Sequence, residues 1–202
     1  MNYTATHKSF VLIAVAVISA ISLSACTINN NAAPTNSQSA DAMMGNGAMG
    51  DASALSASDI MFLQMMIPHH EQAIEMSKLA ATNTTNPAVL DLAARIEAAQ
   101  QPEIELMQKL LSDAGQSSMP GHSMGDNGMM NESDMAALAA TKDNEFDVLY
   151  LTGMIAHHNG AITTAIAVSE SSNTDIKTLA NNIITSQATE IAEMTKLLAA
   201  AS

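Results

Sequence analysis

The sequence DIMFLQMMIPHHEQAI at residues 59–74 recurs in similar form, as DVLYLTGMIAHHNGAI, at residues 147–162. Each copy begins with an acidic residue, continues with apolar residues, and reaches two adjacent histidines followed by an Ala-Ile pair after two further residues. The second copy lies 88 residues after the first throughout. An internal duplication of this kind predicts two copies of one structural unit.

A second pair of related stretches follows at an offset of 87 residues, from Leu92 to Leu111 and from Leu179 to Leu198. Apolar residues spaced three and four apart predict a helix in both. The one-residue difference between the two offsets predicts a loop of altered length, so each half is expected to be a helix, a short connection and a second helix. Asn86-Pro87 and Asn173 are typical of helix starts.

Two prolines, Pro68 and Pro102, fall inside predicted helices, where each removes a backbone hydrogen bond. The repeat has Ala156 and Thr189 at the equivalent positions. We therefore predict continuous helices with a local kink at each proline in the first half.

Aromatic residues are scarce, with no Trp, two Tyr and three Phe in 202 residues. A core of Ala, Leu, Ile and Met suits helix-on-helix packing. We predict an all-α, four-helix bundle built from two duplicated helical hairpins. The domain is placed at residues 57–202, with the first hairpin at 57–113, a Met-rich loop at 114–131 and the second hairpin at 132–202, which opens with a short helix around 134–140.

The first 26 residues are typical of an export signal, with Lys8 before an apolar run that is too short to span a membrane comfortably. The run ends in Leu-Ser-Ala-Cys26, which resembles the bacterial lipoprotein processing box, so Cys26 is predicted to carry lipid. An ordinary signal peptide cut nearby is the alternative. Residues 27–56 are predicted to be a flexible, Met-containing linker. We expect a membrane-anchored lipoprotein of the cell envelope or periplasm.

Charge and cysteine content limit the partners of the mature chain. The formal net charge of the full sequence is −13, and loss of Lys8 with the signal makes it −14, from six basic and 20 acidic residues. There is no basic stripe to neutralise phosphates, so nucleic acid is excluded as a partner. Membrane attachment would have to come from lipid. Because Cys26 is the only cysteine, a thiolate cluster is excluded and any soft metal ligand must be Met.

Adjacent histidines at equivalent positions of both copies carry the predicted chemistry. A helix places Met66 on the same face as His69 and His70, and the second copy repeats this arrangement. Thioether and imidazole together favour copper, with Cu(I) foremost and Cu(II) and Ag(I) as further candidates. The predicted ligands are Met66, His69, His70, Met76, Met107, Met154, His157, His158 and Met194. Core packing is the alternative for each Met, and we assign Met61, Met65 and Met135 to the core.

Polar residues on the second helix of each half share a face with Met107 and Met194. Ligating imidazoles usually donate their other N–H to an oxygen. Gln100, Glu103, Gln187 and Glu190 are therefore predicted to orient the histidines, with a solvated helix face as the alternative. Asp59 and Asp147 are interpreted as first-turn helix acids.

Methionines also occur among Gly, Ser and Asn, where no core is expected. They resemble the Met-rich tracts of exported copper-handling proteins, and chance composition is the alternative. Auxiliary loop ligands are predicted at Met119, His122, Met124, Met129 and Met130, with Met43, Met44 and Met49 in the linker.

The repeated pattern Met-x-x-His-His, Ala-Ile and Gln-x-x-Glu-Ile-x-x-Met resembles the family called domain of unknown function 305, over about residues 59–198. The resemblance implies a ferritin-like four-helix fold. Through exported relatives linked to copper, it also implies the ligands Met66, His69, His70, Met107, Met154, His157, His158 and Met194. The second half matches more closely, whereas the first departs from the pattern at Glu71-Gln72, so its site is expected to be weaker or altered.

We predict a copper-binding protein for sequestration, buffering or tolerance, not an enzyme. A copper-transfer protein is an expected partner, and the oligomeric state is left open. A metal-free envelope scaffold is the alternative. A di-iron oxidase is disfavoured because such sites use Glu-x-x-His pairs, and no Glu precedes a histidine by three residues.

Overall fold

A computed structural model describes residues 54–118 and 127–201. Several predictions lie outside these residues: the export signal with Cys26, the linker up to residue 53, and the loop ligands Met119, His122 and Met124.

The described chain forms five helices and no strand. Their bounds are α1 Ala57–Asn83, α2 Pro87–Asp113, α3 Glu132–Ala140, α4 Asp143–Ile166 and α5 Thr174–Ala201. α1 packs on α2 and α4 on α5, and the two hairpins meet mainly through α1 and α4. The predicted all-helical class is confirmed, with four long helices and the short α3.

Helix starts follow the capping residues in the sequence. The Asn86 side chain accepts a hydrogen bond from the Ala88 N–H at the start of α2, and Asn173 accepts from the first N–H groups of α5. Ser56 and Asp59 form a capping box on α1, which is the first-turn role expected for Asp59. α1 and α2 continue through Pro68 and Pro102.

Asp147 differs from its equivalent Asp59. It is buried in the second turn of α4 and accepts a hydrogen bond from the Asn86 side chain at 2.8 Å. Its role is therefore to tie α4 to the start of α2, and the first-turn interpretation is wrong for Asp147.

Methionine and aliphatic side chains fill the core, as the composition predicts. Met66 and Met107 pack with Phe62, whereas Met76 and Met154 belong to a second cluster around Tyr150. The core assignment of Met61 is wrong, because 51% of this residue is exposed. Met135 packs against the second cluster. Among the described residues, no helix is long and apolar enough to cross a membrane.

Candidate metal centre

The four repeated histidines lie where the two hairpins meet. All four are buried, with at most 3% of each residue exposed. The ring of His69 on α1 lies against the ring of His157 on α4, with centroids 3.7 Å apart and planes inclined at 42°. The fold therefore brings equivalent histidines of the two copies into direct contact, which sequence spacing alone does not predict.

Each of the other two histidines pairs with a glutamate of its own hairpin. His70 Nε2 lies 2.8 Å from Glu103 Oε2, and His158 Nε2 lies 2.6 Å from Glu190 Oε2. A carboxylate accepts, so Nε2 carries a proton, and in the neutral ring Nδ1 then keeps its lone pair. Within the described chain, neither Nδ1 atom has a hydrogen-bond partner. A carboxylate–imidazole pair with the second nitrogen free is the arrangement that commonly supports a bound metal.

The contacting histidines also have unpartnered nitrogens. His69 Nε2 donates to the backbone carbonyl of Asn127 at 3.0 Å, which leaves Nδ1 without a partner among the described residues. Neither ring nitrogen of His157 makes a hydrogen bond of ordinary geometry there, although the backbone of His69 lies close enough to oppose slightly the lowering of the His157 pKa. Buried polar groups are normally hydrogen-bonded, so unpartnered nitrogens repeated in both halves indicate a ligand-binding role.

Burial keeps the contacting histidines neutral. Desolvation lowers the pKa of His69 to about 4, aided by the neighbouring His70 and His158 and opposed by the Asn127 carbonyl. Burial likewise lowers the pKa of His157 well below 6.5, and the nearby histidines add to the effect. The neutral imidazole is the form that binds metals, so protons compete weakly for these two residues.

The predicted methionine ligands are all buried. At most 1% of each is exposed: Met66, Met76, Met107, Met154 and Met194. Burial is expected of a methionine that packs in the core, and it is also expected of one that faces the interior of the bundle as a ligand. Their coordination of a metal stays a prediction.

The four polar residues predicted to orient the histidines divide into two kinds. Glu103 and Glu190 contact histidines, as described above. Gln100 and Gln187 are buried, but neither makes a hydrogen bond to a histidine within the described residues. Both amide atoms of Gln100 and the Oε1 of Gln187 lack hydrogen-bond partners there, so these amides add unpaired polar atoms at equivalent positions in both halves.

The ends of the Met-rich loop are attached to α1. Gln64 Nε2 donates to the Ser117 carbonyl at 2.8 Å. After the undescribed segment, the Gln72 side chain both donates to the Met130 carbonyl and accepts from the Met130 N–H, each at 2.8 Å. Residues 127–130, which include the predicted ligands Met129 and Met130, therefore run beside His69.

Sequence reasoning missed the contributions of Asn127 and Gln72. Asn127 acts through its backbone carbonyl, for which no side-chain signal exists. Gln72 carried a signal, since Gly160 occupies its equivalent position in the second copy, and the sequence departs from the family pattern at this residue. The structure gives that departure a role in holding the loop.

Within the described residues, no three His, Cys, Asp or Glu side chains are grouped closely enough to hold a metal ion. Hard divalent ions need larger sets of oxygen ligands. Free imidazole nitrogens with buried thioethers nearby fit a soft ion that accepts few ligands, such as Cu(I).

The chain resembles several proteins of known structure. A DUF305 fragment from Deinococcus radiodurans is 25% identical, with a TM-score of 0.67 over 72% of this chain and 98% of that one. A DUF305 protein from Streptomyces coelicolor that is described as secreted is 30% identical, with a TM-score of 0.66 over 71% and 92%. CopM in its Cu(I)-bound form is 29% identical, with a TM-score of 0.59 over 68% and 93%, and CopM structures with Cu(II) and Ag are also similar.

A curated relative, protein L153 of Acanthamoeba polyphaga mimivirus, is 42% identical over 55 residues. The match covers 27% of this chain and only 36% of that relative's length. The family model for the domain of unknown function (DUF305) matches residues 59–198, which is more than half of the chain and includes every element of the centre. The chain belongs to the domain of unknown function 305 family.

Proposed function

We propose that this protein binds copper, with Cu(I) as the main ion and Cu(II) and Ag(I) as further ligands, at the buried histidines between its hairpins. The observation that carries the proposal is the pair of Glu–His contacts, His70–Glu103 and His158–Glu190, each with a free Nδ1 beside the contacting His69 and His157. The copper- and silver-bound structures of CopM support the choice of metal.

Binding without catalysis is part of the proposal. Glu103 and Glu190 each accept a hydrogen bond from an imidazole, an outer-shell role that positions a ligand. The sequence also lacks the Glu-x-x-His pattern of di-iron oxidases. The protein would sequester or buffer copper and pass it to a transfer partner.

Export and anchoring complete the proposed setting. The similarity to a relative described as secreted supports export, and the Leu-Ser-Ala-Cys26 sequence supports attachment through lipid. Labelled palmitate incorporated into the wild-type chain and absent from a Cys26→Ala variant would support the anchor. Equal labelling of both would contradict it.

The test of copper binding is anaerobic Cu(I) titration of the full chain against a competing chromophoric chelator. We expect tight, stoichiometric binding that is weakened in His69→Ala/His70→Ala and in His157→Ala/His158→Ala. Met61→Ala, which removes an exposed thioether from α1, is the matched control and should bind as the wild type does. Binding that is indifferent to all four histidines would overturn the proposal and favour the metal-free scaffold.

A further inference from the structure

Gly153 on α4 leaves a space that two thioethers fill. A Cβ atom at this position would lie 2.9 Å from Met130 Sδ and 3.4 Å from the terminal methyl of Met76. The loop methionine and the α1 methionine therefore converge on one point of α4. Gly153 lies four residues before His157, so this point is one helical turn from the histidines.

The loop approaches α4 where the second copy of the repeat has glycine and the first does not. Gly153 corresponds to Met65, and Gly160 corresponds to Gln72. A Cβ at Gly160 would lie 1.6 Å from the Asn127 carbonyl oxygen, so a side chain there would force the loop away. The two glycines allow residues 127–130 to lie directly on α4.

Met130 is held in place by its backbone and not by core packing alone. The Gln72 side chain makes hydrogen bonds to both the N–H and the C=O of Met130. Met130 itself is half-buried. Met76, by contrast, is fully buried. A half-buried methionine of the loop and a core methionine of α1 thus approach the same point of α4.

Solvent reaches this position through a cavity of about 390 Å³ that is lined by Met129, Met130, Asp134 and Gly153, among others. Asp134 and the overall net charge of −13 favour the approach of a cation. The cavity gives an ion access to Met130 without passing through the histidines.

We propose that Met76 and Met130 form a two-thioether site for Cu(I) or Ag(I), separate from the histidine centre and closer to solvent. The choice of ion rests on the proposed function. Thioethers alone favour soft monovalent ions over Cu(II), and they do not titrate, so the site keeps its affinity when histidines are protonated. This site would bind Cu(I) directly from solution, at a position next to the histidine centre.

The test is a titration of Ag⁺, a redox-inert probe, into the full chain labelled with ¹³C at the methionine methyls. Met76→Leu and Met130→Leu, which nearly conserve volume, assign the two signals. We expect both signals to shift together, the Met76 shift to vanish in Met130→Leu, and the Met130 shift to vanish in Met76→Leu. Gly153→Ala should also abolish the joint shift, because its Cβ would displace the Met130 sulfur.

Met61→Leu is the matched control and should leave both shifts intact. The joint shift should also survive in His157→Ala/His158→Ala, since the site uses no imidazole. Its loss there would overturn the proposal by placing Met76 in the histidine centre, and so would a Met76 shift that persists without Met130. Failure of the histidine centre is read separately, from the chelator titration of the histidine variants.

Discussion

Glu103 and Glu190 each lie within hydrogen-bond distance of one buried histidine, and this pairing leaves Nδ1 as the ring nitrogen that would face the proposed metal. The glutamates are partly exposed, with side-chain exposures of 22% and 13%, whereas the imidazoles are fully buried. An oxygen that accepts a hydrogen bond from one imidazole nitrogen makes the other nitrogen more basic. Each pair therefore makes Nδ1 a better electron donor.

Replacing either glutamate with glutamine should weaken copper binding by roughly 10–100-fold, the usual effect of losing an outer-shell carboxylate. Glu103→Gln and Glu190→Gln keep the size of the side chain but remove its charge. The measurement is Cu(I) affinity by chelator competition. Glu105→Gln, at an exposed position of the same helix as Glu103, should bind as the wild type does, and equal affinities in all variants would contradict the role of the pairs.

Acid should destabilise the metal-free protein through His69. Its folded-state pKa of about 4 lies below the ordinary value of 6.5, so the unfolded chain binds a proton more readily. The contribution of His69 to the free energy of unfolding is therefore fully present above pH 6.5. It decreases by up to about 3 kcal/mol as the pH drops from 6.5 to 4.

Urea unfolding at a series of pH values measures this loss. Between pH 6.5 and 4, the free energy of unfolding should decrease less in His69→Gln than in the wild type, since the titrating group is gone. A decline of the same steepness in the variant would assign the acid sensitivity to other groups.

α1 and α4 differ at equivalent contacts. The hydroxyls of Ser77 and Tyr150 form a hydrogen bond at 3.1 Å inside the core, and burial raises the pKa of Tyr150 so that its hydroxyl keeps its proton. The repeat equivalents of these residues are Ala165 and Phe62, which are buried in the other cluster. Both pairs therefore involve one residue of α1 and one of α4, and the pair is polar in one core cluster and apolar in the other.

A double-mutant cycle tests this difference. Tyr150→Phe and Ser77→Ala each leave one buried hydroxyl without its partner and should cost about 1–3 kcal/mol. The double variant restores the chemistry of the Phe62–Ala165 pair and should be more stable than the sum of the single losses by about 1 kcal/mol. Denaturant unfolding measures all four proteins, and strictly additive losses would show that the hydroxyls do not interact.

The attachment of residues 127–130 to α1 should depend on Gln72. Gln72→Leu removes both hydrogen bonds to the Met130 backbone while keeping a side chain of similar size. We expect faster hydrogen exchange at the Met130 amide, with exchange in the core of α4 unchanged. Gln101→Leu, at an exposed position of α2, is the control, and unchanged protection at Met130 would show that its packing on α4 alone holds the segment.

Secondary structure was largely predictable, because helix caps and apolar spacing are local properties. Asn86 and Asn173 mark helix starts in the sequence and in the structure. The contact between His69 and His157 was not predictable, since it depends on how the hairpins cross. Gln100 and Glu103 share a helix face and have side chains of equal length, yet only Glu103 makes a hydrogen bond to a histidine. The position along α2 relative to His70, which depends on how α1 and α2 pack, decides this contact.

The two hairpins meet at the histidines, so the whole bundle contributes to one centre. His69 belongs to the first hairpin and His157 to the second, and their rings are in contact. Groups in contact are energetically coupled, whereas independent sites give additive effects. If the protein binds copper as proposed, this contact favours one shared centre over two separate ones.

Combining the two histidine double substitutions tests this sharing. If the centre is shared, His69→Ala/His70→Ala and His157→Ala/His158→Ala should each remove most of the tight binding, and the quadruple variant should be little worse than either. Cu(I) affinity and stoichiometry from chelator competition give the answer. If each double variant instead binds half as much Cu(I) as the wild type with unaltered affinity, the protein has two independent sites.

His69 and His157 occupy the same position of the repeat and touch each other, so an approximate twofold axis passes between their rings. An isologous interface places a residue against its own copy. Two identical chains, each a single hairpin, would bring the same histidine to both sides of a true axis and build an equivalent centre as a homodimer. Fusion of the two copies frees each side to differ from the other: α1 has Gln72, which holds the Met130 backbone, whereas α4 has Gly160 at the equivalent position, where it admits the loop.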